Sequence, residues 1–312
     1  LVQYLLQINM TDSHQAKLVT ILGPTASGKT SLAVELCRQF SGEIISADSR
    51  QVYRGMDIGT GKDLDEYEEV PHHLIDIVEP QEEFNLFAYA QHFSTAFTNI
   101  VKREQLPFLV GGTGMYLDAI LNRYELTIAK SDEKARQEME NKSERELIEL
   151  LLSFDKNLHN TTDLLSRDRI IKAIEIAVAD SKDLKPLELP TFTPLTIGIR
   201  LEREEIKARI TARLKARLEE GMIEEVETLR QQGLPWEKLH FFGLEYRFVA
   251  QYLQGELSYN DMYQKLNSAI HAFAKQQSKW FRNIEKKGQE IHWIDKGEDL
   301  FDKAAEHLAK HL

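Results

Sequence analysis

The sequence predicts an α/β fold: a mostly parallel sheet flanked by helices, with a small helical insertion and a helix-rich C-terminal part. Three observations carry this. The apolar run Leu18–Leu22 (LVTIL) passes through a glycine-bearing turn into a helical pattern, SLAVELCRQF at 31–40, which is how a βαβ unit opens. Short apolar runs recur at Glu43–Ser46, Leu106–Val110 and Leu195–Leu201 with helical stretches between them, and strands alternating with helices imply parallel pairing. A chain of 312 residues, 42% of them hydrophobic, can bury one large core and a satellite.

Each element follows in order. The first strand and helix end near Ser41 and Gly42, and the second strand runs out into Ala47 and Asp48. Residues 86–104 have helical length and periodicity, and the next strand ends in Gly111-Gly112. From Lys130 to Asn157 the chain is charged, shows no strand signal and carries apolar residues at helical spacing in ELIELLLSF. The prolines at 186, 190 and 194 then predict an extended connector, which leads into the core strand LTIGIRL. The rest is helical in pattern, apart from a late strand at 290–294. The expected organisation is a poorly ordered leader at 1–15, a P-loop core at 16–123 completed by 190–312, and a helical insertion and connector at 124–189. Met10 is a candidate natural start.

Charged residues interrupt every apolar stretch before it could span a bilayer. The N-terminus lacks the basic lead-in of a secretory signal, and the single Cys37 cannot form an internal disulfide. A cytoplasmic, membrane-free monomer is expected. A formal net charge of −11 opposes general affinity for nucleic acid, so an RNA role needs local basic patches. Cations at helical spacing between Arg203 and Arg217, and again between Lys275 and Lys287, are the candidates.

Gly23-Pro24-Thr25-Ala26-Ser27-Gly28-Lys29-Thr30 matches the Walker A pattern and sits between a strand and a helix, the context that pattern requires. Glycines let the backbone turn its N–H groups inward, the helix N-terminus adds a positive dipole end, and Lys29 adds a full charge. Thr30 is placed to hold Mg²⁺ against phosphate oxygens. The later strand ends in Gly111-Gly112-Thr113 without a carboxylate. That weakens a motor or switch NTPase and favours a transferase. Asp48 falls past a strand end on the side where open α/β sheets assemble their sites, as a metal-holding carboxylate, a general base or a turn cap.

Four blocks together resemble the bacterial tRNA dimethylallyltransferase family: GPTASGKT at 23–30, DSRQVYRGMDIGT at 48–60, PHHLIDI at 71–77 and VGGTGMYL at 110–117. RDRIIKAIEI at 167–176 and the run from Arg203 to Val226 resemble its later segments. The resemblance implies transfer of a dimethylallyl group from dimethylallyl diphosphate to the exocyclic amine of an adenosine beside the tRNA anticodon, assisted by Mg²⁺. It implies that residues 25–30 and Arg213 bind diphosphate and that Arg209 neutralises it as it departs. Asp48 is implied as the base, with Thr113 in the channel where base meets isoprenoid. Ser49, Arg50, Gln51, Arg169, Lys172, Tyr246 and Arg247 are implied to contact tRNA. The sequence departs from the family at Gly61-Lys62-Asp63, Lys172, Glu245 and Ile270-His271, while His72 and His73 read as structural. A small-molecule kinase, a transferase acting on free adenine nucleotides, and an idle RNA-binding protein are the alternatives. Intact Asp48, Lys29 and Thr30 speak against the last.

Overall fold

A computed structural model describes residues 15–129, 133–154, 167–178 and 184–312; the expected leader, apart from Gln15, therefore lies outside the described residues. The chain divides into two compact units, Leu1–Arg123 with Leu189–Leu312, and Tyr124–Glu188.

The larger unit holds a six-stranded sheet in the order β3-β2-β4-β1-β7-β8. Its strands are β1 (Ala16–Leu22), β2 (Gly42–Ala47), β3 (His72–His73), β4 (Leu106–Gly111), β7 (Phe192–Arg200) and β8 (Ile291–Asp295). Every pairing is parallel. A sheet covered on both faces buries both sides of its strands, which is why β1 and β2 read as continuous apolar runs instead of alternating ones. Helix α1 (Lys29–Phe40) turns Leu32, Ala33, Leu36 and Cys37 into one core, which α12 (Leu300–His311) closes with Leu300, Ala304 and Leu308. Helix α2 (Leu86–Lys102) starts at Asn85, whose side chain accepts a hydrogen bond from the Ala88 amide, the usual N-cap economy. Pro194 pairs with Leu18 of β1, whereas the β8 ladder begins only at Thr196. Its missing N–H thus falls where the strand has a single neighbour, the position a sheet tolerates.

The connection from β2 to β3 contributes the two-residue strand that the sequence does not announce. His73 Nε2 lies 2.7 Å from Glu43 Oε2, and Arg103 reaches the same carboxylate. A second core forms where Val52, Tyr53 and Met56 meet five helices: α7 (Arg203–Glu219), α8 (Met222–Gln231), α9 (Trp236–Phe241), α10 (Leu244–Leu253) and α11 (Tyr259–Lys286). Helix α3 (Gly114–Leu121) leaves β4, and the short α9 (Trp236–Phe241) precedes α10.

The smaller unit has a core of Leu147, Leu151, Ile170, Ile171 and Ile174 between α5 (Glu144–Phe154) and α6 (Arg167–Val178), with α4 (Glu133–Glu140) beside them. The sequence reads residues around Pro186 as a connector alone. They form β6 (Leu184–Leu187), antiparallel to β5 (Leu126–Ala129). Each strand is four residues long, too short for alternation to show.

Candidate active site

The loop joining β1 to α1 is shaped by its own backbone. Gly28 caps the helix at φ +85°, in the left-handed region that glycine enters without steric cost. No side chain caps that first turn, so its amides remain available to an anion. Lys29 folds back over the loop and donates from Nζ to the Pro24 carbonyl at 2.9 Å. Burial, reinforced by Arg213, pushes the Lys29 ammonium down to about 7. Gly23 and Pro24 therefore set the shape of the loop, whereas residues 25 to 30 line the cavity above it.

That cavity, about 420 Å³ in volume, lies over the carboxyl ends of β1, β2 and β4, where open parallel sheets bind ligands. Asp48 follows β2 and accepts a hydrogen bond from the Arg50 amide at 2.9 Å through Oδ1. Thr113 follows β4; its Oγ1 accepts from the Ser49 amide at 3.0 Å, and its own amide donates to the Ala47 carbonyl at 3.1 Å. These bonds lock the ends of two adjacent strands together and fix Asp48 within the cavity wall. Gln51 is held from both sides, taking the Ser46 hydroxyl at 3.0 Å and donating to the Gly61 carbonyl at 3.0 Å.

The opposite wall comes from α7 and α11. Arg213 Nη2 donates to the Thr25 hydroxyl, and its guanidinium is lowered to about 10 by burial and by Arg217. Arg209 also lines the cavity, yet it is partly exposed and its Nε donates to Glu205 at 2.9 Å. The buried arginine against the loop is therefore Arg213. Gln277 is a residue sequence reasoning did not single out. Its Oε1 accepts from the Thr25 amide at 2.8 Å and its Nε2 donates to the Gly112 carbonyl at 2.9 Å. A Cβ on Gly112 would stand 2.4 Å from that Nε2, so the glycine makes room for the bridge. Only its partners 252 and 165 residues away reveal its role.

Ser49, Arg50 and Gln51 border the cavity with Asp48. Arg50 pairs with Glu245 at 3.3 Å and lies over the Phe273 ring at 5.7 Å, so the Glu245 departure supplies a counter-charge at the cavity itself. Tyr246 is corrected. Its ring is fully buried and its hydroxyl donates to Glu225 at 2.7 Å, leaving no face for RNA. The same carboxylate accepts the amides of Asp57, Ile58 and Gly59 at 2.7 to 3.0 Å, so Tyr246 braces that loop. Arg247 sits over the Phe248 ring at 4.9 Å and lies outside the cavity lining. Arg169 and Lys172 belong to α6 of the smaller unit, and the Arg169 side chain lies outside the described residues. His271 meets the Thr211 hydroxyl at 3.4 Å.

Among the described residues, no cluster of three or more His, Cys, Asp or Glu side chains is arranged to hold a metal ion. Mg²⁺ is ordinarily held by one or two protein oxygens together with substrate phosphates. Thr30 and Asp48, both in the cavity wall, provide donors of that kind. No helix among the described residues is long and apolar enough to cross a membrane.

The family model described as IPP transferase matches residues 51–284, and one described as isopentenyl transferase matches residues 16–71. A tRNA dimethylallyltransferase 1 of Geotalea uraniireducens is 58% identical over 292 residues, covering 93% of this chain and 96% of its own. A tRNA dimethylallyltransferase 2 of Pelobacter propionicus is 56% identical over 293 residues, with 93% of each chain covered. The crystal structure of a tRNA isopentenylpyrophosphate transferase from Bacillus halodurans matches with a TM-score of 0.71 and 32% identity, over 95% of this chain and 96% of that one.

Proposed function

The chain belongs to the tRNA dimethylallyltransferase family, and from that premise we propose how its cavity carries out prenyl transfer to an adenosine of tRNA. The observation that carries the proposal is that the phosphate-binding loop and Asp48 open into one cavity.

In this reading dimethylallyl diphosphate enters with its two phosphates over residues 25–30. Main-chain amides, Lys29 and Arg213 place positive charge where negative charge grows as the allylic C–O bond breaks. The Thr30 hydroxyl would hold Mg²⁺, which would supply further positive charge to the phosphates. The adenosine, unstacked from a single-stranded loop where unstacking is least costly, presents its exocyclic amine beside Asp48. The amine nitrogen forms the new bond to the allylic carbon, diphosphate leaves with the electrons of the broken bond, and Asp48 accepts the proton the nitrogen sheds. Thr113 holds the Ser49 amide and so positions the aspartate. Arg50, paired with Glu245 at the cavity, is set to exchange that partner for an RNA phosphate.

The test incubates the protein with labelled dimethylallyl diphosphate, Mg²⁺ and either unmodified tRNA or AMP. Label on tRNA is the expected result; label on AMP alone, or ATP turnover in a parallel assay, overturns the reading. With Asp48→Asn, kcat should fall by about 10²- to 10⁴-fold while affinity for dimethylallyl diphosphate persists. An unchanged kcat would remove Asp48 from the role of base.

A further inference from the structure

Arg217 poses a charge problem within the cavity. Its side chain is 7% exposed and lines the cavity wall. Its one ionic contact among the described residues is Asp63 Oδ2 at 3.9 Å, and that carboxylate is itself half exposed. A guanidinium carries five N–H donors, and one long ion pair leaves most of them without an acceptor. None of its nitrogens is among the buried side-chain atoms left unpaired in the described residues, so the donors meet the cavity space that an anion would fill.

The neighbourhood is cut to admit this side chain. Gly61 has φ +63°, and a Cβ there would lie 1.4 Å from Arg217 Nη2 and 2.4 Å from Cζ. Any other residue at 61 would expel the guanidinium from where it stands. Arg217 also follows Arg213 by one helical turn on α7, so the two side chains project from one face about 6 Å apart at their bases. Both line the cavity, and Arg213 already touches the phosphate-binding loop at Thr25. Two buried guanidiniums side by side repel each other, and Asp48, Glu66 and Glu245 in the cavity wall offset them only at longer range, with no ion pair to either among the described residues. A ligand with two linked, multiply charged groups satisfies both at once, and arginine's planar fork suits phosphate oxygens.

We infer that Arg217 is a further diphosphate ligand, engaging phosphate oxygens together with Arg213, and that Gly61 is the residue that keeps its place open. The inference rests on reading the cavity as a diphosphate site.

The test measures inorganic diphosphate binding calorimetrically, and KM for dimethylallyl diphosphate and for tRNA, in the wild-type protein, Arg217→Gln, Arg217→Lys, Gly61→Ala and the double variant Gly61→Ala/Arg217→Gln. Melting temperatures are recorded for all. Loss of one charge-assisted contact should weaken diphosphate binding about tenfold in Arg217→Gln, with KM for tRNA unchanged. Lysine should restore only part of the loss, because it lacks the planar fork. Gly61→Ala should weaken diphosphate binding similarly in the wild-type background and add nothing to Arg217→Gln. Wild-type affinity in Arg217→Gln, or a rise in KM for tRNA alone, overturns the inference. So does undiminished affinity in Gly61→Ala, a variant that removes no charge and carries the test if Arg217→Gln fails to fold. A wild-type protein that does not bind diphosphate overturns the assignment of the cavity instead.

Discussion

Lys29 enters the cavity with its proton loosely held, pushed down to about 7 by burial and by Arg213. A lysine depressed in the folded state binds fewer protons there than in the unfolded chain between that value and its ordinary 10.5. Its charged form therefore opposes folding at low pH, and the opposition is relieved as pH rises through about 7 toward 10.5. An arriving diphosphate reverses the local field and raises the lysine again. Binding near pH 8 should thus take up a proton, visible as calorimetric heats that vary with the ionisation enthalpy of the buffer. Lys29→Met should abolish the variation, and heats independent of buffer in the wild type would show that Lys29 is charged beforehand. At this scale the sequence already exposes much of the site. Residues 25–30, Asp48 and Thr113 are legible because each is tied to a strand end within a short contiguous motif. Tyr246 misleads for the opposite reason, since whether an aromatic ring is a contact or a core residue depends on helices far along the chain.

Helix α11 runs for 28 residues, started by Ser258, whose hydroxyl accepts from the Asp261 amide. It brings Gln277 to the loop between β1 and α1. The bridge from the Thr25 amide to the Gly112 carbonyl ties α11 to the ends of β1 and β4, two strands that already pair in the sheet. Gln277→Leu keeps the volume roughly the same and strands both partners, at about 1–3 kcal/mol for each buried group left unsatisfied. A lower melting temperature with weaker diphosphate binding is expected. A variant that loses stability but keeps its affinity would reduce Gln277 to a packing residue. Most helices and strands of the larger unit are legible because their apolar patterns span several residues, whereas the two-residue β3 is too short to show one. The β5–β6 pair is not legible, because four-residue strands offer no period, and Pro186 reads locally as a connector although its register partner is Thr127.

Over the whole molecule, a formal charge of −11 must coexist with a polyanionic substrate. The exposed cations Lys275, Lys279, Arg282 and Lys286 along α11 offer local compensation, reached from the same helix that supplies Phe273 to the cavity wall. Replacing Lys275 and Lys279 with Gln should weaken tRNA binding and reduce the slope of log affinity against log salt by up to about 2. Dimethylallyl diphosphate affinity should not change, and an unaltered salt slope would move the RNA track elsewhere. The charge total is plain in the sequence, but its distribution depends on which helix faces line up in space.

The central strand β1 is hydrogen-bonded on one side to β4 and on the other to β7, and the loop it launches is completed by a glutamine 252 residues further on. A chain emerging from the ribosome therefore carries its anion-binding motif outside the exit tunnel long before the partners that finish it exist. Until those late helices dock, the nascent protein should be unable to sequester prenyl donor, so prematurely terminated products would be bystanders in the cell rather than competitors for its isoprenoid pool.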